Sequence, residues 1–380
     1  MSSLLKYLRE IIFLAGDDRK KIKWMALAFF LLSIFDLVGI GLIVPYIALI
    51  ANPEIFTQSN FYPLFLSIGF SPTTDESLVA LSYVLLTIFF LKTVSVIWIN
   101  RTILRFCFKR GAKLRYFLMR SYQDLPYSEY TNRNSSEYIY NIQSLTNQYS
   151  QVILQSFLRL ISDGAVGIMI LILLAWSNGP AFVLLVFLLG GLVLLYDIFF
   201  RKRIHLFGKL SNDYSTKMLQ GVHEGMEGLK EIRILGKEAF FYSVVKENAK
   251  KYSEVGAKSL IISTAPRYLL EFILVLFMVL LTLGAIILEQ DSAKLLATFS
   301  MFGVASMRLI PSVNQVISGV TQLRFGRHSV SLLYSDMRKI DNLSKKNSFN
   351  NNSIDSNKQK SFESIALKNI DFSYLGKGDR

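Results

Sequence analysis

Ionisable side chains interrupt or open otherwise apolar runs, among them Asp36, Lys92, Asp163, Asp197, Arg267, Glu271 and Arg308. Holding a charge at the centre of a bilayer costs about 2.5–3.5 kcal/mol, so each such residue needs a partner or a task. Two readings stand. In the first the charges neutralise one another: Arg267 and Glu271 are four residues apart on a helix, and Asp36 pairs with Lys92 across two neighbouring runs. In the second, Lys92, Arg267 and Arg308 face a central cavity, with Asp36 and Glu271 beside them, and hold an anionic headgroup such as a pyrophosphate. Lys92 supplies a point charge there, where an arginine would bind through a planar fork. That chemistry is recognition, not bond breaking.

Bond-breaking chemistry finds no support in the rest of the chain. The single cysteine, Cys107, makes no intramolecular disulfide and no metal site. The three histidines, His205, His223 and His328, are too far apart in sequence to form a ligand pair, so no metal is expected. No G-x-x-x-x-G-K-[ST] loop exists to cradle phosphates. Gly236-Lys237 is followed by Glu238 and preceded by Glu231 at the first glycine position; Gly376-Lys377 has Asp371 there. These residues alone do not hydrolyse ATP, and no cofactor is expected.

The charged positions are embedded in a chain of 380 residues that is 52% hydrophobic, with mean hydropathy +0.37. The apolar residues gather in six runs, 24–50, 78–99, 154–176, 181–200, 268–288 and 293–316. Each matches the roughly 20 residues that one bilayer crossing needs. The formal charge of +14 is explained by the connections between them. Residues 51–77 contain no Lys or Arg, 177–180 is an uncharged Ser-Asn-Gly-Pro turn, and 289–292 carries Glu289 and Asp291. The other connections are densely basic, with Arg101, Arg105, Lys109 and Arg110 in one and Arg201, Lys202 and Arg203 in another. The positive-inside rule then puts both termini in the cytoplasm and the chain in the cytoplasmic membrane, and removes nucleic acid as a partner. The N-terminal residues 1–23 mix Lys6, Arg9 and Arg19 with Glu10 and Asp17 and read as a cytoplasmic amphipathic segment rather than a signal peptide.

The basic connections keep helical spacing over 101–124, 135–151, 203–221 and 240–258, which predicts helices reaching well past the bilayer. Turns at the far ends fall near Leu125-Pro126-Tyr127 and over 228–238. Residues 55–70 are too short to span and too apolar for water: either an interfacial segment or a loop packed on the bundle. The bundle is expected over 24–340, followed by a polar, Asn/Ser/Lys-rich linker at 341–361. Residues 364–374 alternate apolar and polar as a β-strand does, opening a soluble domain over 362–380.

Six spans with long helical extensions, a linker and a strand ending Phe372-Ser373-Tyr374 resemble the type-1 exporter family of ABC transporters. The run GLKEIRILGKE at 228–238 is similar to that family's second coupling segment, and LKNIDFSY at 367–374 to the first strand of its nucleotide-binding domain. The resemblance implies an all-α membrane fold and a homodimer of half-transporters. It implies coupling roles for Tyr127, Lys230, Glu231, Arg233 and Gly236, and it puts Tyr374 at the adenine-stacking position. It also implies ATP and magnesium in the complete transporter, on an ATPase domain that this chain stops short of. The chain then reads as a truncated half-transporter, or its ATPase comes as a separate polypeptide. DLVGIGLIVPYI at 36–47, APRYLLE at 265–271 and MRLIPSVN at 307–314 further resemble the lipid-linked oligosaccharide flippases. They imply a lipid-linked sugar as cargo, with 55–70 against the lipid tail. The alternatives are a peptide or drug exporter of the same architecture, and a half-transporter that only dimerises.

Overall fold

The computed structural model describes residues 2–51, 75–131, 133–287, 292–351 and 368, and the described part is almost wholly helical. Helix α1 spans Ser2–Leu14; a short 3-10 turn, Gly16–Asp18, leads into α2, Arg19–Ala51. Helix α3 is Asp75–Gln123, α4 Tyr127–Tyr130, α5 Ser135–Tyr140 and α6 Gln155–Ser177. Helix α7 is Gly179–Glu227, α8 Leu229–Leu235, α9 Glu238–Ile287, α10 Ser292–Phe325 and α11 Arg327–Asn351.

The predicted helical extensions are present. Helices α3 and α7 have 49 residues and α9 has 50. At 1.5 Å per residue each is about 74 Å long, more than twice the roughly 30 Å of a hydrocarbon core. Among the described residues five helical stretches are long and apolar enough to cross a membrane: Gly16–Gly39, Ser82–Gln123, Ser135–Ser177, Gly179–Glu227 and Glu238–Gly284. The sixth run expected from sequence, 293–316, lies on α10 and is not one of these five stretches.

Local chemistry explains the boundaries. The Ser-Asn-Gly-Pro turn becomes the start of α7: Asn178 accepts from Ala181 N at 3.2 Å, and Pro180 occupies the first turn, where its missing N–H is harmless. Between α5 and α6 the helix widens into two π segments, Asn141–Leu145 and Gln148–Leu154. Thr146 Oγ1 donates back to Asn141 O at 2.9 Å, taking up a carbonyl five residues earlier. A break at Gly326 separates α10 from α11. Helix α11 continues to Asn351, so 341–351, expected to belong to the linker, is helical. A helix anchored by buried Val330, Leu333 and Ile340 propagates past its last packed turn at little further cost. The predicted strand at 364–374 lies outside the described residues except for Lys368; so do the 55–70 segment and Tyr374.

Helix α1 is tied into the extensions. Tyr7 OH donates to Leu323 O at 2.6 Å, Tyr149 OH to Ile11 O at 2.9 Å and Arg110 Nε to Leu14 O at 2.8 Å. The last two serve carbonyls that a helix C-terminus leaves without an internal partner. The core around α1 joins Ile11, Leu14, Ile103, Leu118, Tyr149 and Leu333. A second cluster joins α6, α7, α9 and α10, where Phe277 and Phe302 are fully buried with ring centroids 5.3 Å apart. In lipid such packing, rather than water exclusion, holds helices together.

Two features lock α7 to its neighbours. Pro266, inside α9, cannot donate to the carbonyl four residues back. That carbonyl, Ile262 O, instead accepts from Tyr196 OH of α7. Tyr196→Phe is therefore expected to lower thermal stability in detergent by about 1–3 kcal/mol, the cost of a buried acceptor left unmet. An unchanged melting curve would mean that Ile262 O does not depend on this hydroxyl. The second feature is Gly208, where an added Cβ would lie 1.9 Å from Phe325 O. Near it Asp197 of α7 pairs with Arg324 of α10, which accounts for one of the intramembrane charges.

Candidate functional site

Four helices enclose a cavity of about 380 Å³. Helix α3 contributes Lys92, Val96, Ile99 and Ile103; α6 contributes Arg159, Ser162, Asp163 and Val166; α10 contributes Arg308, Pro311, Ser312 and Gln315. Each set repeats every three or four residues, so one stripe of each helix faces inward. Helix α2 adds Phe29, Leu32, Ser33 and Phe35, an apolar wall relieved by one hydroxyl. Asn100 and Ser95 complete the polar lining.

Two of the cations expected from sequence, Lys92 and Arg308, are thus brought together. Both are half-buried, and Lys92 Nζ sits 4.9 Å from the centroid of the Phe89 ring. Arg159 joins them and was not anticipated: it lies near the N-terminal edge of its apolar run, where a basic residue looks like an ordinary flank. Its spacing to Asp163, four residues on the same helix, was the available signal. Asp163 is the one carboxylate of the lining against three cations. Ser312 Oγ donates to Asp163 O and holds α10 against α6.

The remaining expected residues lie elsewhere. Arg267 and Glu271 form an i,i+4 pair at 3.3 Å, with side chains 68% and 56% exposed on α9, and line no part of the cavity. The reading in which these two neutralise each other accounts for their geometry. Asp36 lies on α2, but its side chain is outside the described residues. Among the described residues no group of His, Cys, Asp and Glu is arranged to hold a metal ion.

At the far end of the extensions two short helices occupy the predicted turns. Helix α8 is fixed by buried Ile232 and ends at Gly236, whose φ of 60° is left-handed. Gly236 N and Lys237 N donate to Arg233 O and Ile232 O at 3.3 and 3.0 Å, closing the helix as glycine C-caps do. Lys230, Glu231 and Arg233 point to solvent. Beside them a groove of about 630 Å³ is lined by Ile232, Leu235, Phe240 and Phe241. Helix α4 carries exposed Tyr127, stacked on Tyr130 at 6.5 Å. Just beyond it, burial works against the charge of Arg133, but the hydrogen bond and the charge of Asp336, together with Tyr138 and Tyr122, outweigh it and raise the guanidinium pKa.

A multi-pass helical membrane protein, with a charged cavity between its helices and exposed helical tips far from it, is the class this arrangement defines. Residues 55–309 match the family model of the ABC transporter transmembrane region. The match spans well over half of the chain, and the protein belongs to that family. It is a transmembrane subunit of an ABC transporter, a type whose membrane domains pair with an ATPase domain or dimerise.

Proposed function

We propose that this chain forms the membrane half of an ATP-driven exporter or flippase that moves an anionic amphipathic lipid, with a lipid-linked oligosaccharide as the leading cargo. One observation carries the reading: Lys92, Arg159 and Arg308 converge on one cavity with a single carboxylate. A phosphate or diphosphate headgroup fits such a site, because its oxygens accept several charge-assisted bonds at once. The apolar wall of Phe29, Leu32 and Phe35 suits the first methylenes of a lipid tail. In this reading six crossings place both termini in the cytoplasm of the inner membrane, and two copies face each other across the transport path. Arg267 and Glu271 then lie on the α9 surface that a second copy or lipid covers. The tips at Tyr127 and at Lys230, Glu231, Arg233 and Gly236 receive motion from ATPase domains that bind ATP and magnesium. Exposed Ile234 and Leu235 give the second tip an apolar contact for such a domain.

The test is reconstitution with the ATPase domains present, comparing a fluorescent lipid diphosphate sugar with an analogue lacking the diphosphate. ATP-dependent translocation of the first and not the second is expected. Equal rates for both would contradict an anion-reading cavity.

A further inference from the structure

Outside the cavity lies a buried charge with an unusually full set of donors. Asp336 of α11 is 6% exposed, and its carboxylate gathers groups from three places in the chain. Arg133 Nη1 donates to Oδ1 at 2.6 Å. Tyr122 OH, from the last turn of α3, donates to Oδ2. Asn141 Nδ2, from the start of the π segment, donates to Oδ2 at 3.2 Å and also lies 3.2 Å from the Tyr122 hydroxyl. Three donors on one carboxylate are what a buried charge requires, and losing one leaves the charge undercompensated.

The donors bracket helix α4: Tyr122 precedes it, and Arg133 and Asn141 follow it. Aromatic contacts close the same loop. Tyr130 stacks on Tyr138 at 5.2 Å with rings 8° from parallel, and Tyr122 meets the edge of Tyr138 at 4.7 Å. A second ion pair, Lys339 to Glu129 at 2.7 Å, joins α11 to α4 directly, though its partners are half-exposed and it holds more weakly. The tip at α8 has no comparable buried charge among the described residues; Ile232 and the Gly236 cap hold it.

We propose that Asp336 is the positioning residue of the first coupling tip, fastening Tyr127–Tyr130 to α11 so that tip and helix move as one rigid body. A tip that swings freely on its loop transmits no displacement to the bundle; one clamped to α11 does. The proposal rests on the reading of α4 as a coupling segment.

The experiment uses the full chain in lipid nanodiscs with a nitroxide on Ser128→Cys, and separately on Ile234→Cys. Native Cys107 is fully buried and does not label. In Asp336→Ala and in Arg133→Gln the mobile spectral component at position 128 is expected to grow several-fold, while position 234 keeps the parent spectrum. Asp336→Glu, which retains the charge, is expected to restore most of the immobile component. If Asp336→Ala fails to fold, Arg133→Gln decides, because Tyr122 and Asn141 still serve the carboxylate in it. An unchanged spectrum at 128 in Arg133→Gln, or an equal rise at 234, overturns the proposal. Because mobility and not transport is read, its failure is distinguishable from failure of the transport reading.

Discussion

Replacing Arg308 with glutamine is expected to weaken binding of a diphosphate lipid by about 1.5–3 kcal/mol, the range for a hydrogen bond to a charged group, or roughly 10- to 150-fold in affinity. Arg308 lies on the α10 stripe opposite Lys92 and Arg159, and its fork is the geometry best suited to a phosphate oxygen pair. Loss of transport together with loss of thermal stability would instead assign Arg308 a structural role. Lys92→Gln should act in the same direction more weakly, and Arg159→Gln comparably to Arg308→Gln. Arg267→Gln should leave binding within about twofold, because that side chain sits in an exposed pair on α9.

Gly208→Ala should have the largest effect on the fold. The new methyl group would sit 1.9 Å from the Phe325 carbonyl oxygen, far inside van der Waals contact. The obstacle is backbone at the end of α10, not a side chain that can turn away. Either α7 or the α10–α11 junction must shift, and the Asp197–Arg324 pair between the same helices is strained with it. Overpacking of this kind costs about 1–3 kcal/mol or more. Thermal unfolding in detergent measures it, and an unchanged transition would show that α7 and α10 do not approach as closely as described. Gly190, with nothing near its missing Cβ, is the matched control and should tolerate alanine.

Much of the architecture was legible because the bilayer imposes simple rules. Apolar runs of the right length, separated by basic connections with helical spacing, gave the long helices and the two tips at Tyr127 and 228–238. The break at Gly326 was not legible: Arg324, Gly326 and Arg327 look like any basic stretch, and only the packing of Ile153, 2.5 Å from where a Cβ at 326 would sit, shows why a glycine stands there. The π segments were hidden for a related reason, since an extra residue in one turn shifts the apolar stripe by less than one sequence can reveal.

The site was half legible. Lys92 and Arg308 stood out because a charge in an apolar run always does. Arg267 stood out equally, but composition does not tell which face of a helix a charge occupies; on α9 it is exposed and is not part of the cavity lining. Arg159 was missed because a cation near the end of an apolar run has an ordinary explanation. The clamp at Asp336 unites residues 122, 133, 141 and 336, and nothing in their separations announces it.

The most direct measurement of the central claim is protection of the cavity from a thiol reagent. Ser162→Cys places a thiol in the cavity lining, and Tyr268→Cys places one beside the Arg267–Glu271 pair. With saturating diphosphate lipid, labelling at 162 should slow at least tenfold while labelling at 268 is unchanged, and a neutral lipid of the same chain length should protect neither. Protection at 268 but not at 162, or equal protection by the neutral lipid, would contradict an anion site between α2, α3, α6 and α10.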